Sequence, residues 1–290
     1  MQDLLARASG TGIRAFAAIT TNLAEEARRR HSLYPTAAAA LGRTMTAAIL
    51  LAANLKTEET ITIRIKGDGP LGQVVADARA NGTVRGYVDN PQVELPLING
   101  KLAVGQAVGE GFIHVTRFTG MKDPFTGSVP LVSGEIAEDV TNYLLVSEQI
   151  PSSVALGVLV DTDLSVSAAG GFLVQALPGA DDETLRRVEK NIASMPPISQ
   201  LIKQGGKLAD IFQYLFEGIE YRISEQTALA FSCSCDRARV EKILISLGKQ
   251  ELEELVTEGQ AELTCHFCSQ QYRFSKQELL TLGNISDKNA

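Results

Sequence analysis

Apolar and polar positions change period several times along this chain, and each change predicts a different element. Between residues 12 and 20, Ile13, Ala15, Ala17 and Ile19 are set against Arg14, Phe16 and Ala18, a rough alternation that predicts a first strand. A helix follows. Pro35 then opens a longer one, since proline suits a first helical turn and Leu41, Met45, Ala48, Ala52 and Leu55 recur at helical spacing. Its many alanines permit close packing, which makes it the expected central buried helix.

From Glu59 the period drops to two, with Ile61, Ile63 and Ile65 facing one way and Thr62, Arg64 and Lys66 the other. Gly67-Asp68-Gly69-Pro70-Leu71-Gly72 reads as a turn, and Asn81-Gly82 as a hairpin between strands 73–78 and 83–88. Further strands are expected at 112–118, 154–160 and 172–177, with a helix over 134–149. Strands and helices come in runs without regular βαβ alternation, so the class is α+β with an antiparallel sheet.

After Pro178-Gly179 the texture turns to short amphipathic pieces. Leu185, Val188, Ile192 and Met195 form one stripe, and Leu208, Ile211, Phe212, Leu215 and Phe216 another, with Pro196-Pro197 and Gly205-Gly206 as breaks. These predict a helical linker draped on a neighbour. The expected organisation is an N-terminal α+β core domain over 1–179, a helical linker over 180–230 and a small C-terminal module over 231–290.

The net formal charge of -7 gives no attraction for phosphate backbones or anionic membranes. No basic stretch leads into an apolar core at the N-terminus, and the longest wholly apolar run, 47–53, is too short to span a bilayer. The expectation is a cytoplasmic protein with neither nucleic acid nor membrane as partner. That compartment disfavours permanent disulfides and leaves metal binding or redox chemistry as the usual cysteine roles.

All 4 cysteines lie between Cys233 and Cys268. Cys233-Ser234-Cys235 and Cys265-His266-Phe267-Cys268 are close pairs on either side of a helical insert, and such pairs can converge on one tetrahedral zinc, one Zn2+ per chain in the reduced state. From spacing alone, the reading to prefer is that the site is only a closed staple for a module too small to hold itself together. Arg237, Arg239, Lys242 and His266 are close in sequence and would stabilise thiolates if they face them; a solvated helix face is the other reading. His266 is not expected as a ligand, because four sulfurs close the shell.

Other features carry less chemistry. The 67–72 glycines lack the lysine of a phosphate loop, and Ala169-Gly170-Gly171-Phe172 reads as a tight bend or close packing. His31 and His114 show no nucleophile–base pattern. With no catalytic constellation, the chain is not expected to be an enzyme.

Taken in order, several segments resemble one known family. They are Pro35 with Ala40-Leu41-Gly42-Arg43, the 67–72 turn, Val84-Arg85-Gly86-Tyr87-Val88 and Thr126-Gly127-Ser128-Val129-Pro130-Leu131-Val132. Ser147-Glu148-Gln149-Ile150-Pro151-Ser152, Ala169-Gly170-Gly171-Phe172 and the two cysteine pairs complete the set. Over nearly its whole length the chain resembles the redox-regulated bacterial holdases of the heat-shock protein thirty-three family. The resemblance implies an ATP-independent chaperone that binds unfolding proteins under oxidative stress. Such a chaperone is inactive when reduced and zinc-bound, and active once oxidised, zinc-free and locally unfolded.

The resemblance also implies that Cys233, Cys235, Cys265 and Cys268 ligate zinc. On oxidation Cys233 would pair with Cys235 and Cys265 with Cys268, and the protein would tend to form a homodimer. Leu208, Ile211, Phe212, Leu215 and Phe216 become the candidate client-binding or linker surface, expected to be buried at rest. Asp236 departs from the small polar residue of many relatives, which puts the tuning of the thiolates in question.

Two rivals have recognisable signatures. A zinc-ribbon nucleic-acid binder needs a basic face, yet residues 229–290 hold 7 Lys or Arg against 9 Asp or Glu. A thiol-disulfide oxidoreductase places Cys-x-x-Cys at a helix start in a thioredoxin-like βαβ setting, which this pattern lacks.

Overall fold

The computed structural model describes residues 2–56, 59–120 and 123–289, with side chains as far as residue 283. The chain divides into two compact units, Met1–Ser232 and Cys233–Ala290. Mixed helices and antiparallel sheets make the class α+β, as the changes of period predict.

The first unit opens with β1 (Leu4–Gly10), β2 (Ile13–Ile19), α1 (Thr21–His31) and α2 (Pro35–Ala52). Next come β3 (Thr60–Gly67), β4 (Gln73–Arg79), β5 (Thr83–Val88), α3 (Val104–Val108), β6 (Gly111–Phe118) and β7 (Phe125–Pro130). Then follow α4 (Ala137–Val146), β8 (Ser152–Val160), β9 (Val166–Ala176), α5 (Asp182–Ser194), α6 (Ile198–Lys203), α7 (Leu208–Leu215), β10 (Tyr221–Ala228) and β11 (Ala230–Phe231).

Two sheets result. One has the order β10-β1-β2-β9-β8 and is antiparallel throughout. The other, β11-β5-β4-β3-β6-β7, is antiparallel except for the short β11–β5 pair. Gly82 closes the predicted β4–β5 hairpin at φ +83°, a left-handed conformation that glycine adopts without penalty.

Helix α2 lies in the core that joins the two sheets. Phe16, Ala18 and Leu173 from one sheet and Ile61, Ile63 and Ile65 from the other share a cluster with Leu41, Met45 and Ile49. All of α2 except Pro35 and Arg43 is buried, so the single predicted stripe is in fact an apolar surface on every side, as a helix covered all round requires. By length and composition α2 would also suit a membrane; here its apolar surface is spent on the core.

The opposite face of the first sheet is covered by α5, α6 and α7. Ala6, Ala15, Ala17, Ile19, Phe172 and Val174 pack there against Val188, Ile202, Leu208, Ile211, Phe212, Leu215 and Phe216. Residues 180–232 thus fold as part of the first unit. The helical expectation for 180–230 holds only as far as Leu215; beyond it β10 pairs with β1 along the sheet edge. Its exposed, polar-rich strand has only one neighbour to bury against, which is why no clear period marks it.

Of the two readings of 169–172, a tight bend or close packing, the structure shows close packing: the segment is the middle of β9. A Cβ on Gly170 would stand 2.4 Å from both the Ala18 carbonyl oxygen and Ile202 Cδ1. The glycine is what lets α6 approach the sheet.

The second unit contains α8 (Arg237–Ser246), α9 (Lys249–Glu258), β12 (Gln260–Thr264), β13 (Gln271–Ser275) and α10 (Lys276–Asn289). A small core of Val240, Leu244, Leu252, Ala261, Phe274, Leu279 and Leu282 holds it. So few buried side chains leave little reserve of stability.

Candidate metal centre

Cys265 and Cys268 occupy the connection between β12 and β13. The Cys265 N–H donates to the Gln270 carbonyl at 2.9 Å, and the Cys265 carbonyl accepts the Ser269 N–H at 2.8 Å. This tight loop turns backbone donors toward sulfur: Cys265 Sγ accepts from the Phe267 and Cys268 N–H groups, and Cys268 Sγ from that of Gln270. Ser269 completes the loop at φ +55°.

Cys233 and Cys235 precede α8. Asp236 is its N-cap, and Oδ1 accepts the Arg239 N–H at 2.7 Å. A capping carboxylate satisfies a helix-end donor and suits the positive end of the helix. Asp236 therefore has a structural role beside the cysteine cluster, one that a small polar side chain can also fill.

The two segments meet. Cys233 Sγ lies 3.8 Å from Cys265 Sγ, and Cys235 Sγ lies 3.3 Å from Cys268 Sγ. All four sulfurs fall within 4.8 Å of one another, and among the described residues no other group of His, Cys, Asp and Glu is brought this close. A tetrahedral zinc at about 2.3 Å from each sulfur sets sulfur–sulfur edges of about 3.8 Å, so the cluster fits such an ion with only small adjustment. Burial pushes the Cys265 and Cys268 thiols up. Four thiolates crowded together need a cation to stay ionised, and an all-sulfur set suits a soft metal.

The basic residues divide. Arg237 stacks over the Phe274 ring at 4.3 Å and pairs with Glu278 at 2.6 Å, so it pins α8 to β13 and α10. Arg239 reaches the Cys-x-Cys turn, donating to Ser234 Oγ at 3.3 Å. Lys242 and His266 are exposed. Tyr272 was not singled out by sequence, yet its hydroxyl donates to Cys235 Sγ at 3.2 Å. That hydrogen bond is the leading reason its phenol is pushed up. Its signal is strand period: Tyr272 shares a β13 face with buried Phe274 and carries a polar tip.

Leu208, Ile211, Phe212, Leu215 and Phe216 do not approach a polar site; all five are buried in the first unit. The family model described as "Hsp33 protein" matches residues 4–275. The chain belongs to the Hsp33 family. The 33 kDa chaperonin of Desulforamulus reducens is 54% identical over 294 residues, covering 100% of both chains. That of Geobacter sulfurreducens is 49% identical over 269 residues, 92% of this chain and 89% of the relative. The crystal structure of the 33 kDa chaperonin of Thermotoga maritima superposes with a TM-score of 0.94 at 39% identity, covering 99% of this chain and 100% of the other. Hsp33 membership carries a chaperone role and, with it, the binding of client proteins.

Proposed function

We propose that this Hsp33 protein is a redox-regulated, ATP-independent holdase of the cytoplasm, silent when reduced and zinc-bound and active once its cysteines are oxidised. The observation that carries the reading is the convergence of four sulfurs from two segments 32 residues apart, Cys233 against Cys265. Bound zinc would supply a soft cation that ties the segments together and keeps all four sulfurs ionised.

The cysteines do the rest. A sulfur lone pair attacks one oxygen of hydrogen peroxide, the S–O bond forms, the O–O bond breaks and hydroxide leaves. A second thiolate then attacks that sulfur, forming S–S and expelling hydroxide, so the pair loses two electrons and the peroxide becomes two waters after protonation. Pairing Cys233 with Cys235 and Cys265 with Cys268 leaves no bond between the segments. Loosening is then passed along the chain, which runs from β11 through Ser232 directly into Cys233. Leu208, Ile211, Phe212, Leu215 and Phe216, hidden at rest, become the client surface, and the active form is a homodimer.

The test measures suppression of client aggregation before and after peroxide, alongside zinc content and sedimentation. The expected result is one zinc and little protection when reduced, then zinc loss, protection and dimer formation when oxidised. Equal protection in both states would remove the redox reading.

A further inference from the structure

We propose that Tyr272 is a positioning residue of the cysteine centre, whose hydroxyl restrains Cys235 against oxidants; this rests on the redox reading above. The O–H donates to Cys235 Sγ at 3.2 Å from a residue 37 positions away. A metal-bound thiolate can only accept, so the direction of the bond is fixed by its chemistry. Tyr272 pairs with Leu263 in the β12–β13 register, and its ring packs against the module core. The hydroxyl is held in place by the strand and the core.

The donors to the other segment differ in kind. Cys265 and Cys268 accept backbone N–H groups of their own loop, which any side chains would leave in place. The Tyr272 bond depends on one oxygen, and so it is a point at which sequence sets reactivity. The sulfur lone pair that receives the O–H is less available to attack peroxide, because the hydrogen bond stabilises its negative charge and must weaken as the S–O bond forms. Outer hydrogen bonds of this type commonly tune metal ligands.

Tyr272→Phe removes that oxygen and keeps the ring. The zinc-loaded, reduced full chain carrying it is expected to lose metal to peroxide on the order of three- to tenfold faster than the wild type. A larger share of early trapped product should carry the Cys233–Cys235 disulfide. A second readout follows sulfur electronics instead of stability: in the cobalt-substituted protein, the sulfur-to-metal charge-transfer band moves to longer wavelength in Tyr272→Phe, because the sulfur electrons lie higher without the donor. Faster metal loss together with the band shift supports the proposal. Either without the other overturns it, since loosening alone changes rate and an idle hydrogen bond alone changes the band. If the wild type releases metal to peroxide and the variant matches it in both readouts, Tyr272 has no such role while the redox reading stands. A wild-type chain that holds no metal, or keeps it under peroxide, overturns both.

Discussion

Asp236 stands between the first cysteine pair and α8, and its carboxylate is spent on the Arg239 N–H. Asp236→Ala should leave the four sulfurs and one metal per chain in place but lower the stability of the zinc-loaded module by about 0.5–2 kcal/mol, the usual cost of a lost N-cap. Asp236→Ser should recover most of it. Thermal melts with metal analysis check this, and a melt unchanged in Asp236→Ala would show that the cap contributes nothing. At this scale the four clustered cysteines were legible because cysteine spacing is local and few residue types can replace a thiolate. Tyr272 and the Arg237–Phe274 contact were not, because each joins residues more than thirty positions apart. Buried Asp139 is another case: it accepts the Val132, Ser133 and Gly134 N–H groups at Oδ1 and that of Ile136 at Oδ2, and nothing in the period of its helix distinguishes it.

The elements that sequence reveals are those with one dominant environment. Strand β3 alternates cleanly because Ile61, Ile63 and Ile65 face the core while Arg64 and Lys66 do not. Strand β1 has neighbours on both sides, and both its faces pack against apolar clusters, Leu5 to one and Ala6 and Ala8 to the other, so its alternation is blurred; β7 is an edge strand with an exposed face. The α5–α7 layer was legible as stripes, and its fit to the sheet now has a named hinge of space at Gly170. Gly170→Ala would force a methyl into Ile202 and the Ala18 carbonyl, and overpacking of this sort costs about 1–3 kcal/mol. The expected result is faster exchange of the 198–203 amides and raised chaperone activity without oxidant; unchanged exchange would mean that α6 yields freely. Phe212→Ser with Phe216→Ser tests the same layer from its helix side. Each ring contributes about 1.5–3 kcal/mol by burial, so the double variant should also raise basal activity, and a silent, fully protected double variant would count against a linker role for these residues.

Across the whole molecule, stability is unevenly distributed: the first unit has two extensive apolar clusters and the second a small one. Structural zinc contributes on the order of 10–16 kcal/mol to the folding of small modules, far more than that core can replace. Neighbour disulfides close loops of three or four residues, and loop entropy credits each with only about 1.5–2 kcal/mol before strain. A disulfide across the insert would close a loop of some thirty residues, worth about 3.7 kcal/mol, and would keep the two segments joined. The assembled centre offers that alternative, since the Cys233–Cys265 approach at 3.8 Å and the Cys235–Cys268 approach at 3.3 Å both cross the insert. Pairing therefore decides the outcome: crosswise bonds would lock the module, and neighbour bonds would replace one long-range clamp with two local rings. With neighbour pairing the module should lose near-ultraviolet dichroism and amide protection on peroxide treatment, while the β2–β9 and β3–β6 amides of the first unit remain protected. Peptide mapping of the disulfides must accompany the exchange measurement. A zinc-free module that keeps its protection, or a main product that joins Cys235 to Cys268, would mean that activation does not run through unfolding of residues 233–283.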